Sequence, residues 1–251
     1  MRHRFDLITG LVSRDLKVRY KGSILGIAWG LVTPLAQLLV LVLVFRGVVR
    51  LKIPHYASYV FSGILAWNWL QTSLFSASTS LVDGRGLMRR PGFPAAVLPA
   101  ATVAGNFVHY LLALPILLGL LMFDGVGITP SILLLPLLLL IQFTMTLGIA
   151  FLVAVGQVVF RDTQQLLSLA LMLTFYLTPV FYESTAVPER FRWLYDLNPL
   201  VHLMNQYRAL LLHREVSNPR ILLTLAAGSC LLLLISYRVL VRTKHRLVEE
   251  L

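Results

Sequence analysis

The stretch Arg19–Gly30, RYKGSILGIAWG, leads from basic sequence into apolar sequence. Lys and Arg suit the cytoplasmic headgroup layer of a bilayer, and Trp29 suits its interface because the indole ring has one polar edge. Gly22, Gly26 and Gly30 recur every four residues, which predicts a strip without Cβ atoms on one helix face where a second helix packs closely. The stretch predicts the point at which a helix enters a membrane. A charged leader before any glycine-containing membrane helix has the same pattern.

The composition of the whole chain indicates a membrane protein. Hydrophobic residues make up 57% of its 251 residues, charged residues make up 13%, and the mean hydropathy is +0.78. Soluble domains carry about 25% charged residues. We therefore predict an all-α integral membrane protein with a single transmembrane domain over residues 1–251, because the spans leave no room for a second domain. Cys230 is the single cysteine, which excludes an intrachain disulfide.

Six apolar stretches contain no Asp, Glu, Lys or Arg and are long enough to cross the core of a bilayer, which takes about 20 residues. They are Ile24–Phe45, Tyr56–Val82, Phe93–Phe123, Ile132–Phe160, Leu166–Tyr182 and Ile221–Tyr237. We predict six transmembrane helices at these positions.

The distribution of positive charge predicts that both termini are cytoplasmic. The net charge is +11, and in this orientation fourteen of the 22 Lys and Arg residues face the cytoplasm. Five of the other eight fall in residues 183–220, a long segment to which the positive-inside rule applies weakly. Basic residues at helix ends contact lipid phosphates, so the charge does not indicate nucleic-acid binding.

Residues 1–22 are predicted to form an imperfect amphipathic helix on the inner membrane surface, with Asp15 and Arg19 intruding on its apolar face. Its apolar residues recur at three- and four-residue spacing and are Phe5, Ile8, Val12, Leu16 and Tyr20. A helix with such a face lies with that face in the headgroup region. A solvated leader helix is the alternative.

Residues 83–92 connect the second and third predicted spans on the cytoplasmic side. Two apolar residues, Leu87 and Met88, are followed by two basic residues, Arg89 and Arg90, and glycines and a Pro-Gly pair bound the group. With the apolar pair exposed, this segment is a short knob that a soluble partner can bind. A basic turn that only follows the topology rule is the alternative.

A second internal turn follows the fourth span. Asp162 is expected to cap the next helix, with Gln165 at the capping-box position, and Arg161 is expected to contact lipid headgroups. A structural role explains this motif fully.

Residues 183–220 form a long outer segment that contains a helix start signal. Asn198 is the predicted N-cap and Pro199 the first helical residue. The mostly apolar stretch Leu200–Leu212 is too short to span a bilayer, which predicts a re-entrant or interfacial helix. The aromatic residues just before it, each also explained by an ordinary interfacial belt, are Phe191, Trp193 and Tyr195.

The spans lack the chemistry of a gradient-driven carrier or an enzyme. They contain no Asp, Glu, Lys or Arg, and His109 is the one side chain in them that titrates near neutrality. A lone histidine of this kind is more often a packing residue. The chain has no Walker A sequence, His-Glu metal pair or serine elbow, so we predict no catalytic residue, metal site or cofactor in this chain. Energy for active transport must then come from another chain.

Motifs along essentially the whole chain resemble those of the membrane subunits of type-2 ABC exporters, in the polysaccharide branch. The first comprises Arg19–Ser23, Leu25-Gly26, Trp29 and Pro34-Leu35. The others are Leu87–Pro94 with Leu98-Pro99, Phe160–Asp162, Phe175–Val180 with Tyr182, and Leu197–Pro199 followed by Arg208. Two residues differ from the common pattern of that family, namely Gly84 in place of Asn and Met88 in place of Ile.

This resemblance implies a homodimer of six-helix subunits that pairs with two copies of a cytoplasmic ATPase. ATP and Mg²⁺ bind to that partner chain, and the substrate is a lipid-linked glycan crossing the bacterial inner membrane. O-antigen is favoured, with capsule polysaccharide or teichoic acid as alternatives. The resemblance also implies roles for three segments: 1–22 as interfacial helix, 83–92 as coupling segment with Leu87, Met88, Arg89 and Arg90 at the ATPase, and 183–220 as outer gate with Asn198, Pro199 and Arg208 on a gate helix.

A polar polymer in spans without charged residues must be guided by aromatic faces, hydroxyls, amides and backbone groups. Stacking contributes roughly 0.5–1.5 kcal/mol per ring, which holds sugars without trapping them. We predict that contacts in the channel or its mouth come from a pool of aromatic residues: Tyr59, Trp67, Trp69, Phe175, Tyr176, Tyr182, Trp193 and Tyr195. Core packing or lipid contact is the alternative for each ring.

Two other function classes stay open. A membrane enzyme acting on a lipid-linked sugar needs paired carboxylates or a metal cluster, for which the outer face offers Glu183, Glu189 and Asp196. An ion channel or gradient-driven carrier is the third class. A gene for a Walker-motif ATPase beside this one would favour the exporter.

Overall fold

Ten α-helices form the fold over the residues that the structure, a computed structural model, describes: 2–23, 26–50, 53–127, 130–213 and 218–250. They are α1 (Arg2–Tyr20), α2 (Trp29–Leu41), α3 (Tyr56–Asp83), α4 (Arg85–Met88), α5 (Val97–Phe123), α6 (Leu135–Val159), α7 (Thr163–Leu177), α8 (Glu189–Leu197), α9 (Pro199–Arg208) and α10 (Pro219–Glu250). Helix α2 continues as a π-helix over Val42–Val48, and α9 continues as one over Ala209–His213. No strand occurs in these residues, and the predicted all-α class is confirmed.

Helix α3 is the centre of the bundle, and α2, α5, α6, α7 and α9 pack around it. Most of its residues are buried, including Phe61, Ile64 and Leu70. It also carries many Ser, Thr, Asn and Gln side chains, which are costly in contact with lipid and are tolerated inside a bundle. Helix α10 packs along α6.

A second apolar cluster joins the end of α3 to α4, α5, α6 and α10. Its buried residues include Leu81, Met88, Leu98, Phe151 and Leu240. This cluster fixes the position of the short helix α4 against the longer helices.

Four stretches of the described residues are both long and apolar enough to cross a membrane: Trp29–Val48, Val97–Phe123, Pro130–Val159 and Pro219–Lys244. They correspond to four of the six predicted spans. The second predicted span is present as α3, whose 28 residues are long enough but whose interior position accommodates polar side chains. The fifth predicted span, Leu166–Tyr182, is wrong in its bounds, because α7 has 15 residues and ends at Leu177. Such a helix is about 22 Å long, short of a core of about 30 Å.

The predicted glycine strip is also wrong. Gly22 lies in the turn after α1 with φ +80°, and Gly26 begins a 3₁₀ turn with φ +49°, so neither lies on the helix that carries Gly30. Only Gly30, of the three, lies at a close approach, since a Cβ there would stand 3.0 Å from Nδ1 of His109 on α5. The first two glycines permit left-handed backbone where the chain turns into α2.

The predicted N-terminal helix is present as α1, which packs against α5. Ile8 and Val12 are partly buried, while the side chains of Phe5, Leu16 and Tyr20 lie outside the described residues. Its position relative to the membrane stays a prediction.

The turn before α7 differs from the predicted capping box. Asp162 occupies the N-cap position, but its backbone is already helical and its side chain makes no capping hydrogen bond. Thr163 instead donates from its hydroxyl to the carbonyl of Phe160 at 2.7 Å. The prediction for Asp162 and Gln165 is therefore wrong.

Candidate functional site: a polar groove beside the central helix

A cavity of about 600 Å³, here called the polar groove, opens between α2, α3, α5 and α7. Most of its lining side chains are amides, hydroxyls or aromatic rings, and in the described residues none of them is Asp, Glu, Lys or Arg. The polar ones are Thr33, Gln37, Asn68, Gln71, Thr72, Ser76, Asn106, His109, Tyr110 and Ser168. Such a lining exchanges hydrogen bonds with a neutral polar molecule without binding an ion.

Two hydrogen bonds between side chains organise the groove wall. The side-chain nitrogen of Asn68 donates to the side-chain oxygen of Gln37 at 2.7 Å, which joins α3 to α2. One turn along α3, Gln71 accepts a hydrogen bond of 2.7 Å from the indole of Trp67. The Gln37 and Asn68 pair was not found from the sequence, because neither residue is unusual alone and 31 residues separate them.

Trp69 is the one member of the predicted aromatic pool that lines the groove in the described structure. Its ring packs against Phe107 at 4.7 Å and Tyr110 at 5.3 Å between centroids, which fixes its orientation. Its indole nitrogen is buried and has no hydrogen-bond partner among the described residues.

The other predicted aromatic residues lie elsewhere. Tyr59 and Trp67 are buried in the core, and Trp67 contacts Phe175 at 5.3 Å between centroids. The hydroxyls of Tyr182 and Tyr195 are hydrogen-bonded to each other, at the end of the bundle that α8 and α9 form. Tyr176 and Trp193 are exposed, at 61% and 66%. The structure therefore distributes the pool between core, groove and surface.

Arg208 on α9 is buried, with 4% of its surface exposed. Its guanidinium donates to the carbonyl of Val180 at 2.9 Å and stacks on the ring of Tyr59, 3.7 Å from guanidinium carbon to ring centroid. Its Nε and Nη1 atoms have no partner in the described residues. Gly63 leaves room for this contact, because a Cβ there would stand 2.9 Å from the Val180 oxygen. Burial lowers the pKa of Arg208 to about 10, so the side chain stays cationic at neutral pH.

The bundle thus contains a buried charged group, although the predicted spans contain none. The resemblance named Arg208 as a gate-helix residue, but its burial was not predicted, because it lies outside the predicted spans on a helix taken as re-entrant or interfacial. A single arginine within the mostly apolar stretch Leu200–Leu212 was the available signal, since a charged residue in such a stretch is usually paired or functional.

The predicted start of that helix is confirmed. The side-chain oxygen of Asn198 accepts a hydrogen bond of 3.0 Å from the amide of Leu200, and Pro199 is the first helical residue. The Asn198 amide nitrogen also donates to the hydroxyl of Thr178 at 3.2 Å, which holds α9 to the segment after α7.

The predicted knob in residues 83–92 is present as α4, but one of its two apolar residues is not exposed. Met88 is buried in the second cluster, Leu87 is partly buried, and Arg89 and Arg90 are exposed. The prediction of Met88 as a surface anchor is therefore wrong, because the residue packs inward beneath α4. Lys244 on α10 donates to the carbonyl of Phe93 at 2.8 Å, which joins α10 to the residue that directly follows this segment.

No group of three His, Cys, Asp or Glu residues that could hold a metal ion occurs in the described ranges. Glu183, Glu189 and Asp196 are among the residues searched.

Residues 6–212 match the family model described as ABC-2 type transporter. The chain is 40% identical over 229 residues to the O-antigen export system permease protein RfbA of Myxococcus xanthus, covering 90% of this chain and 88% of that protein. It is 30% identical over 250 residues to a permease of the same name from Klebsiella pneumoniae, covering 98% and 95%. It is 26% identical over 210 residues to the polysialic acid transport protein KpsM of Escherichia coli, covering 80% and 79%.

Proposed function

This chain belongs to the ABC-2 type transporter family, as a membrane subunit, and from that premise we propose that it exports a lipid-linked polysaccharide of the O-antigen type from the cytoplasm across the bacterial inner membrane. Relatives named as O-antigen export permeases match over nearly the whole chain, which supports this substrate class. The relative named for polysialic acid is less similar, and capsule export is therefore the weaker alternative.

The functional unit in this proposal is a homodimer with two copies of a cytoplasmic ABC ATPase, which binds ATP and Mg²⁺. Both termini and residues 83–92 face the cytoplasm, where Arg89 and Arg90 contact the ATPase. Helices α2 and α7 both contribute to the groove and carry exposed apolar side chains, including Leu39, Val40, Met172 and Leu173. Apolar faces beside a polar cavity suit contact with a second subunit that completes the channel wall.

In this proposal the polar groove is the substrate path. Its lining, which is polar but carries no Asp, Glu, Lys or Arg among the described residues, is the observation that supports the proposal. A neutral sugar polymer needs many weak contacts that exchange as the chain moves. Each hydrogen bond contributes about 0.5–1.5 kcal/mol net, so the lining holds the glycan without fixing it. The Gln37 and Asn68 amides supply donors and acceptors at the wall, and Trp69 adds an aromatic side chain to the lining. A charged lining would bind ions or phosphate instead.

At the outer end, α8 and α9 form the gate in this proposal. Arg208 holds α9 to Tyr59 of the central helix and to Val180, and the bond between Tyr182 and Tyr195 holds α8. These contacts close the outer end until substrate and ATPase open it.

Gene deletion and complementation test the proposal. Deletion should remove the glycan from the cell surface and accumulate it inside, and the unaltered gene should restore the surface glycan. The double variant Gln37→Leu and Asn68→Leu should fail to restore it at equal protein level. Gln165→Leu, which removes an exposed amide outside the groove, should restore it fully. A changed glycan structure without internal accumulation would instead indicate an enzyme and contradict the proposal.

A further inference from the structure

A second cavity, of about 450 Å³, lies between α1, α3, α4 and α5 and is here called the α1 pocket. Helix α1 forms one wall with Leu11, Arg14 and Asp15, and the last two turns of α3 form another. The remaining lining residues come from α4, α5 and the turn at Gly84, namely Gly84, Leu87, Leu98, Ala101 and Thr102. With the orientation proposed above, this pocket lies at the cytoplasmic end of the bundle.

One polar stripe on α3 joins the α1 pocket to the polar groove. Asn68, Thr72, Ser76 and Ser80 follow one another at four-residue intervals, and Thr79 and Asp83 lie beside them on the same face; all six line one cavity or the other. Ser76 lines both cavities. From Asn68 to Asp83 the stripe is about 22 Å long, most of a bilayer core of about 30 Å. The two cavities thus share one continuous hydrogen-bonding wall.

The α1 pocket presents mainly hydrogen-bond acceptors. The hydroxyl of Ser80 donates to the carbonyl of Ala77 at 2.7 Å, and that of Thr102 donates to the carbonyl of Leu98 at 3.1 Å. Each hydroxyl proton is therefore used within its own helix, and the oxygen lone pairs remain available. The carboxylates of Asp15 and Asp83 add further acceptors, and Arg14 is the one basic residue in the described lining.

An acceptor-rich surface selects ligands that carry many O–H donors. A sugar ring presents several hydroxyls and no charge, which fits this surface. A phosphate or pyrophosphate has acceptors only, and two carboxylates would repel it. The hydroxyls of Ser76 and Thr79 make no hydrogen bond among the described residues. Each can therefore donate to a sugar oxygen or accept from a sugar hydroxyl.

We infer that the α1 pocket is the cytoplasmic entrance of the substrate path and that it binds sugar hydroxyls of the glycan, not the phosphate of its lipid carrier. This inference rests on the proposed export function. It adds the location of the entrance, beneath the N-terminal helix, and the chemistry by which the entrance recognises the polymer.

Photocrosslinking to a stalled glycan tests the inference. p-Benzoylphenylalanine is introduced at Thr79 in the α1 pocket, at Gln71 in the groove, or at Thr144 on α6 as a control, in cells whose partner ATPase binds but does not hydrolyse ATP. Thr79 and Gln71 should both give adducts that stain for sugar, and Thr144 should give none. Adducts at Gln71 alone would overturn the assignment of the α1 pocket as the entrance and leave the proposed export function intact. Adducts at neither position would contradict the export function itself. An adduct at Thr79 that contains lipid but no sugar would also overturn the inference.

Loss of hydroxyls gives a second test that does not depend on crosslinking. The triple variant Ser76→Ala, Thr79→Val and Thr102→Val should lower the export rate about tenfold at equal protein level and equal ATPase association, because several weak contacts are lost together. Restoring Thr79 as Ser should recover part of the rate. The matched variant Thr144→Val and Thr174→Val, which removes hydroxyls bonded within α6 and α7, should export normally. Full export by the triple variant, together with loss of export in Arg14→Gln, would show recognition of an anionic headgroup and overturn the inference.

Discussion

The guanidinium carbon of Arg208 lies 3.7 Å from the centre of the Tyr59 ring, and both side chains are almost fully buried. A desolvated cation over an aromatic face contributes about 2 kcal/mol. The hydroxyl of Tyr59 also donates to the carbonyl of Tyr182 at 2.6 Å, so one tyrosine connects α3 to both the arginine and the segment before α8. The buried charge is costly by itself, and this cost is offset only while the contacts are intact.

Removal of the arginine should loosen the α8 and α9 end of the bundle. In a Cys230→Ser background, Ser62→Cys places a thiol at a buried position of α3 one turn from Tyr59. Adding Arg208→Ala should raise its labelling by an impermeant thiol reagent about tenfold, because the packed end opens more often. Arg208→Lys should give an intermediate rate, since an ammonium keeps the charge but lacks the planar fork. Arg220→Ala, at an exposed site, serves as the control, and equal labelling in all four proteins would contradict the role of Arg208.

Gly84 and Gly86 should respond differently to the same substitution. A Cβ at Gly84 would overlap a methyl group of Leu98 and stand 2.9 Å from the Ser80 oxygen, whereas a Cβ at Gly86 meets nothing within 4 Å. Gly84→Ala should therefore lower the free energy of unfolding by about 1–3 kcal/mol, and Gly86→Ala should leave it nearly unchanged. Thermal unfolding in detergent measures both. Adding Leu98→Ala should reduce the penalty at Gly84, and a penalty of equal size at Gly86 would contradict the packing described.

Substitutions at Met88 should change stability, whereas substitutions at Arg89 and Arg90 should change ATPase binding. Met88→Ala empties a buried site and should cost about 2–5 kcal/mol of folding free energy. The double variant Arg89→Glu and Arg90→Glu should leave the thermal midpoint nearly unchanged and weaken co-purification of the ATPase. Arg242→Glu, an exposed charge reversal on α10, is the control. Normal ATPase recovery with the double variant would leave the two arginines with a role in topology only.

Sequence patterns predicted the local features of this fold well. Asn198 and Pro199 carry their own helix start signal, because N-cap geometry involves only neighbouring residues. The bounds of α3 followed from the apolar run and the flanking charges. Gly22 and Gly26 were misassigned because a four-residue spacing has meaning only if the helix is continuous, and left-handed glycines interrupt it.

Contacts between distant residues could not be read from the sequence. Gln37 pairs with Asn68, Arg208 with Tyr59, and Met88 lies in one cluster with Leu240, and in each case the helices must first be placed. The aromatic pool was selected by residue type, and residue type does not distinguish a ring in the core from one in a cavity. The polar stripe of α3 has a four-residue spacing that is visible in the sequence. It was not predicted because it lies within a stretch identified only by its apolar residues.

Cysteine labelling tests the orientation of the chain. In the Cys230→Ser background, a cysteine at Glu189 should react with an impermeant reagent applied to intact cells, because that side chain is 90% exposed in the outer segment. A cysteine at Gly86 should react only after the membrane is opened. Labelling of Gly86→Cys in intact cells would reverse the proposed topology and remove α4 from contact with a cytoplasmic ATPase.

ATP-driven uptake of glycan by inverted membrane vesicles tests the central claim most directly. Vesicles that contain this subunit and its co-purifying ATPase are supplied with lipid-linked glycan on their outer face, and the sugar protected inside is measured. We predict accumulation that requires ATP and falls to background in the Gln37→Leu and Asn68→Leu double variant. Uptake of equal size without this subunit, or with the double variant at equal protein level, would contradict export through the polar groove.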